Sequence, residues 1–382
     1  LFIWGELLMK KTGIAAVIAL SLAAGSASAE VKFNGFASIK AGMTSADDEN
    51  LYGYENKVDY KNESLFALQA QSDLGNDLSV TTQLVSRGND DFSLEFEWAF
   101  LTYQLNEEWR VNAGRLRTPF YKYSDFRDVG YAYDWLRTPQ SVYALGFDRI
   151  TGASLYYNTS IDDMQSSMQF VYGAYDGDVT LQGVVSPTKI DDIYGITWEL
   201  SQDWIGMRMA YLRGDVTIKA DAFNPLFAAL TGTGQSSVIK AIDFDKDLGS
   251  FFGWGMNYDR NDWLTVLEYT HVSVEDSFYA NQSSYYVSVG RRFGQFTPYV
   301  SMEWDDDEIK PEIYQAMPDA HPLKSTVAAL VETRKVDSNT YNLGFRYDFH
   351  ASAAFKFEVT KAKDRLTMHK SNLVSMGVDV VF

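Results

Sequence analysis

Val374-Ser375-Met376-Gly377-Val378-Asp379-Val380-Val381-Phe382 is apolar at every second residue. Val374, Met376, Val378, Val380 and Phe382 fall on one face of an extended chain, and Ser375, Gly377 and Asp379 fall on the other. Successive side chains of a strand point to opposite faces, so this segment reads as a strand with one greasy and one wet side. The same pattern stands upstream. Tyr341, Leu343, Phe345, Tyr347 and Phe349 alternate with Asn342, Gly344, Arg346 and Asp348, and Phe355, Phe357 and Val359 alternate with Lys356, Glu358 and Thr360. Far from it in sequence, Val31, Phe33, Gly35, Ala37, Ile39, Ala41 and Met43 oppose Lys32, Asn34, Phe36, Ser38 and Lys40.

Alternation alone also fits a soluble antiparallel sandwich. The connections discriminate. Tight polar links at 73–77, 106–108, 159–163, 202–203, 259–262, 294–295 and 350–352 alternate with longer ones at 45–62, 118–148, 175–189, 215–249, 275–282, 305–338 and 362–371, and only 88–93 breaks the rule by being short. Short periplasmic turns and long outer loops are the asymmetry of transmembrane barrels. The expected fold is all-β: one transmembrane antiparallel β-barrel domain, 30–382, of about sixteen strands. They are expected at 31–44, 63–72, 78–87, 94–105, 109–117, 149–158, 164–174, 190–201, 204–214, 250–258, 263–274, 283–293, 296–304, 339–349, 353–361 and 372–382. An even count puts both ends on the periplasmic side and lets the end strands pair, leaving no open edge. Trp109, Trp204 and Trp263 directly follow tight links, and Phe293 and Phe349 directly precede them, as rings at a membrane–water boundary would. One strand is irregular: Glu95 and Glu97 share parity with Ala99, Leu101 and Tyr103, so a bulge or an end above the membrane is expected there.

Composition narrows the function. With no cysteine, thiolate catalysis, cysteine metal sites and disulfides are excluded. The four histidines are scattered, so neither a metal site nor a cofactor is called for. A net charge of −18 repels phosphate, which argues against a nucleic-acid partner. Met9-Lys10-Lys11, the apolar run from Ile14 to Ala24 and Ala27-Ser28-Ala29 read as a secretory signal peptide cleaved before Glu30, with Met9 the expected start. The run is too short to cross a bilayer, which takes about 20 residues. Removing residues 1–29 deletes Lys10, Lys11 and Glu6 and takes the charge from −18 to −19. An enzyme such as a lipid hydrolase would need a base beside a nucleophilic serine. His271 falls on the outward parity of its strand, His321, His350 and His369 lie in connections, and no serine–histidine pair is legible.

Polar groups on the inner parity include Lys32, Lys40, Gln83, Arg87, Arg110, Asn112, Arg208, Glu268, Arg346, Asp348, Lys356, Glu358 and Asp379. Barrels of this size leave an aqueous channel, so a path for small hydrophilic solutes and ions is expected. Strand five ends at Gly114-Arg115-Leu116-Arg117-Thr118-Pro119, because Pro119 cannot donate to a ladder. Some thirty residues follow, mixing Asp125, Arg127, Asp128, Asp134 and Arg137 with Tyr121, Tyr123, Tyr131, Tyr133 and Trp135. So aromatic a loop suits solvent poorly, and folding into the lumen would bury its rings.

The Gly-Arg-x-x-x-Pro step, the long third loop and Arg149-Ile150-Thr151-Gly152-Ala153-Ser154-Leu155-Tyr156-Tyr157 together resemble the Gram-negative general porin family. The resemblance implies passive diffusion through a water-filled channel, a homotrimer in outer-membrane lipid and lipopolysaccharide, and Phe382 as the signal read by the barrel-assembly machinery. It implies that the third loop folds into the lumen and forms the constriction. Carried over, Asp125, Asp128 and Asp134 are the loop acids, and Arg87, Arg115, Arg117 and Lys40 the basic wall. Relatives latch neighbouring subunits with the second outer loop, which is short here (88–93). The alternative is a channel selective for a sugar, phosphate or organic acid, with the loop aromatics stacking on solute and Arg115 and Arg117 drawing anions. Packing of those rings against the wall is the plainer expectation.

Overall fold

The computed structural model describes residues 30–181 and 184–382. The signal peptide expected over residues 1–29 lies outside the described residues. Sixteen strands close into one antiparallel barrel in chain order. They are β1 Val31–Thr44, β2 Leu65–Gly75, β3 Leu78–Arg87, β4 Leu94–Gln104, β5 Trp109–Arg117, β6 Arg149–Ile161, β7 Met164–Leu181 and β8 Val184–Gln202. The second half is β9 Ile205–Ile218, β10 Asp245–Arg260, β11 Trp263–Val274, β12 Gln282–Arg291, β13 Phe296–Asp306, β14 Asp337–His350, β15 Ala353–Asp364 and β16 Lys370–Val381. Among the described residues no helix is long and apolar enough to cross a membrane. The crossing is made by strands.

The seam pairs β1 with β16, Ala37 opposite Val380 and Ile39 opposite Val378. Without it two edges of unpaired backbone would face hydrocarbon, at several kcal/mol per orphaned group. Alternation sorts the faces as expected: Ile39 and Leu343 are 67% and 61% exposed to the outside, while Ser38, Lys40, Lys356 and Asp379 are buried inside. The tight turns use residues that accept a left-handed backbone, as at Asn76-Asp77 and Asn261-Asp262, where both φ angles are positive. The expected bulge is present in β4. Gln83 pairs with Trp98 and Leu84 with Phe96, so Glu97 is the extra residue and turns inward while Phe96 faces out.

One expectation about the outer connections is overturned, and two long connections carry helices that were not expected. Residues 175–189 are not a loop, because β7 and β8 run on as a hairpin to Leu181 and Val184. At about 3.3 Å per residue, β7 is about 60 Å long, well beyond a bilayer's needs. Connections 219–244 and 307–336, long as expected, carry α1 Asn224–Gly232, α2 Ser236–Lys240, α3 Glu312–Gln315 and α4 Lys324–Glu332. Leu230, Val238, Val327 and Val331 of these helices join one apolar cluster with loop residues Phe120, Tyr121, Tyr133 and Trp135. The core therefore lies within and above the barrel, between loops and inner wall.

Candidate functional site

The connection from Thr118 to Asp148 leaves the wall and crosses the barrel interior. Its neck is pinned where the Thr118 N–H donates to the Asp148 carbonyl at 2.7 Å. Beyond Pro119 the Lys122 N–H reaches Glu268 of β11 (2.7 Å), and the Trp135 indole reaches Ser288 of β12 (2.8 Å). Ser141 donates through backbone and hydroxyl to Glu303 of β13 at 3.1 and 3.0 Å. Arg346 of β14 donates to the carbonyls of Tyr131 and Tyr133. Lys356 of β15, fully buried, donates to the carbonyls of Gly130 and Trp135 and pairs with Asp379 of β16 at 2.9 Å. Tyr131 reaches the periplasmic turn, its hydroxyl donating to the Ala351 carbonyl.

Arg137 is the tightest fastening. Its fork engages Glu63 through two bonds of 2.9 Å, Glu358 at 2.5 Å and Ser375 at 2.8 Å. Burial pushes the Glu63 carboxyl up, but Arg137 and then Lys40 outweigh it and hold the group down to about 2. A second cluster closes the neck. Arg87, Arg117, Arg127 and Arg149 interlock with Glu95, Glu97, Asp128 and Asp148, and Asp128 takes Arg87 at 2.8 Å and Arg117 at 2.6 Å. Burial would raise the Asp128 carboxyl, yet Arg117 and Arg87 hold it well below the usual range.

The site residues expected from sequence therefore separate. Arg87, Arg117 and Asp128 come together, but in contact rather than opposed across open water, and the cluster holds equal numbers of acids and bases. Arg115 is a correction. It faces outward, exposed, paired with Ala99 and Thr151 of the outer face, because it shares parity with Val111 and Ala113. Lys40 is buried within electrostatic reach of Asp379 and Glu63 and meets no loop acid. Asp134 approaches Arg346 only to 4.0 Å, and burial raises its carboxyl against the pull of Arg346 and Lys356. Asp125 stands apart, exposed and without an ion pair among the described residues; it lies within electrostatic reach of Tyr156 of β6, which Arg110 of β5 covers at 4.2 Å. Beside it Lys122 feels Glu199 and Arg208, which lie 3.5 Å apart on β8 and β9.

Tyr121, Tyr133 and Trp135 are buried in ring contacts with Tyr143, Tyr123 and Tyr286, so they pack the loop and present no free stacking face. Tyr123 and Tyr131 are half-buried, Tyr131 beneath Arg346. Phe382 is 62% exposed, stacked on Phe66 at the seam. Sequence reading missed Glu63, Glu303 and Tyr143 as loop fastenings, although inner parity marks Glu63 and Glu303; Tyr143, on the loop itself, is fastened through its hydroxyl to Glu268 at 2.8 Å. It also saw no serine–histidine pair, whereas His271 Nδ1 lies 3.0 Å from Ser283 Oγ, on the outer face.

A model of a family described as Gram-negative porin matches residues 15–380. No curated protein matches the sequence. Among solved structures, the outer membrane channel DcaP of Acinetobacter baumannii aligns with 13% identity and a TM-score of 0.61, over 94% of this chain and 99% of that one. OmpF of Salmonella typhi, in complex with daunomycin, aligns with 14% identity and a TM-score of 0.58, over 93% and 98%. The anion-selective porin from Comamonas acidovorans gives 11%, 0.56, 93% and 100%. At such identities the likeness is one of fold.

Proposed function

The chain belongs to the Gram-negative porin family and forms a channel in the outer membrane, and from there we propose how its water path is built. Small hydrophilic solutes and ions pass between residues 122–126 of the inward loop and the inner wall of β5, β6, β8 and β9. Lys122 and Asp125 line the loop side, and Arg110, Glu199 and Arg208 the wall. The observation that carries this is the uneven fastening: β11–β16 hold the body of the loop, Arg87, Arg117 and Arg149 of β3, β5 and β6 hold its neck, and Arg208 of β9 reaches only the Pro119 carbonyl at 3.4 Å, while Asp125 is left exposed and without an ion pair among the described residues. Opposed fixed charges in a narrow aqueous gap orient ions and set their selectivity.

Purified protein in planar bilayers should give stepwise, long-lived conductance. Asp125→Asn should move the reversal potential toward anions, and Asp128→Asn should move it little. An unchanged potential in the first variant would overturn this placement of the constriction. The remaining features follow the family: a signal peptide removed after Ala29, Phe382 read by the assembly machinery, lipopolysaccharide around the wall, and a homotrimer. Arg115, with exposed Ala99 and Ala113 beside it, forms the stretch of outer wall assigned to the subunit contact, since a cation facing lipid without an ion pair among the described residues costs up to about 2–4 kcal/mol. Arg115→Glu should reduce the trimer band after chemical crosslinking.

A further inference from the structure

A cavity of about 490 Å³ lies at the outer mouth, below the helical outer loops and above the inward loop. Phe120 and Phe147 line it from the inward loop, Phe244 and Tyr279 from the outer loops, and Ile193 and Leu212 from the wall of β8 and β9. The long β7–β8 hairpin exists in part to supply this wall, because Val179, Thr188 and Ile190 of its extension line the same space. A path serving only hydrophilic solutes has no use for so apolar a chamber. A volume of several hundred cubic ångströms, mostly apolar with few polar groups, is instead the build of a small-molecule site.

The polar groups are specific. Arg213 and Arg334 both line the cavity, and the Nε of each is buried without a hydrogen-bond partner among the described residues. Arg213 comes no nearer than 3.8 Å to Glu275, beyond hydrogen-bond reach, and the Arg334 guanidinium lies 5.1 Å over the Tyr279 ring and donates one N–H to the Tyr279 hydroxyl, leaving its other donors over. Arg213 and Arg334 are the only cations among the described lining residues, which also include Asp178, and Asp307 lies within electrostatic reach of Arg334. A guanidinium cannot shed its proton, and one with donors left over at an apolar wall is completed by a carboxylate. We infer that this chamber binds amphipathic organic anions, the apolar body against Phe120, Phe147 and Leu212 and the carboxylate on Arg213 and Arg334. The inference deepens the channel reading, on which it rests for the delivery of bound solute to the constriction; binding itself needs no conduction.

The test is calorimetric titration of the detergent-purified full chain with phenylbutyrate, phenylbutanol and phenylbutylamine, against a protein-free detergent blank. The acid should bind at least tenfold tighter than the alcohol or the amine. Arg213→Gln with Arg334→Gln should abolish that preference. Val272→Trp, which adds a ring to the cavity wall and keeps both guanidiniums, should weaken acid and alcohol alike by at least tenfold. Equal binding of acid and alcohol by the native chain, or a preference that survives the double variant, would overturn the site. Should the double variant fail to fold, Val272→Trp decides, and undiminished acid binding there overturns it. The same preparations in planar bilayers keep the two readings apart: a silent barrel that binds the acid ends the channel reading alone, and a conducting barrel that does not bind it ends the site alone.

Discussion

Asp125 and Asp128 lie three residues apart on one loop and are predicted to behave oppositely. Asp128 is bonded to Arg87 and Arg117, so Asp128→Asn leaves two guanidiniums short of an acceptor inside a balanced cluster. Breaking such a pair costs on the order of 3 kcal/mol, which thermal melting of the detergent-solubilised barrel should report as a lower Tm. The pH dependence has a definite sign. The folded carboxyl titrates below its unfolded value of about 3.9, so its stabilisation is complete above that value and is lost only in stronger acid. The gap in Tm between native chain and variant should hold from pH 8 to about 5 and close only as pH falls below about 3; a gap that closed near neutrality would show that Asp128 is not held by these arginines. The acids and bases were legible in sequence, but their mutual contact was not, because charge type says nothing about distance. Arg115 was misplaced although its position was readable. Counting by twos from Arg110 and Asn112 already sends it outward, and the resemblance of the Gly-Arg step overrode the count; Arg117, of the same parity, turns in because β5 ends there and the carboxylates of the neck take its fork.

Strands were the most legible elements, and loops the least. Each of the sixteen expected strands is present, since one face meets lipid and the other water where it crosses the membrane, though β7, β8 and β10 run longer than alternation showed. The extension of β7 and β8 was hidden because above the membrane nothing enforces a greasy outer face: Asp176, Asp178 and Lys189 read as loop. The helices of 219–244 and 307–336 carried a visible signal in the spacing of Leu226, Ala229 and Leu230, and of Val327, Leu330 and Val331, which a search for period two passes over. For the inward loop, aromatic density predicted burial and the fastening explains it. Arg137 is the element's main anchor, so Arg137→Ala strips Glu63 and Glu358 of their shared partner. The loop should then fluctuate, and single-channel traces should become noisier with a larger mean conductance. Arg137→Lys should rescue little, because a point charge cannot reproduce the paired bonds to Glu63 while also reaching Glu358 and Ser375. Traces as quiet as those of the native chain would show that the remaining contacts suffice.

At the scale of the whole molecule the decisive act is closure, which joins the residues farthest apart in sequence. Phe382 clasps Gly35 through two backbone bonds, 2.7 Å in one direction and 2.9 Å in the other, and its ring fills the place where a Gly35 side chain would be. A Cβ on Gly35 would stand 2.3 Å from that ring. The glycine is thus required by close approach, and the terminal aromatic locks the register of the last pair. Two substitutions separate ring from backbone. Phe382→Ala keeps the main-chain clasp and loses the stack on Phe66, at about 1 kcal/mol. Gly35→Leu keeps Phe382 but displaces it, with an overpacking cost of about 1–3 kcal/mol. Because an unclosed sheet exposes two edges to hydrocarbon, either cost falls on the step that makes every other strand stable in the membrane. Refolding into detergent should therefore give less of the compact, heat-modifiable band on gels for both variants, and least for Gly35→Leu. If Gly35→Leu refolded as completely as the native chain, the seam would be held by its ladder alone and the ring at the end of β16 would have no part in closing the barrel.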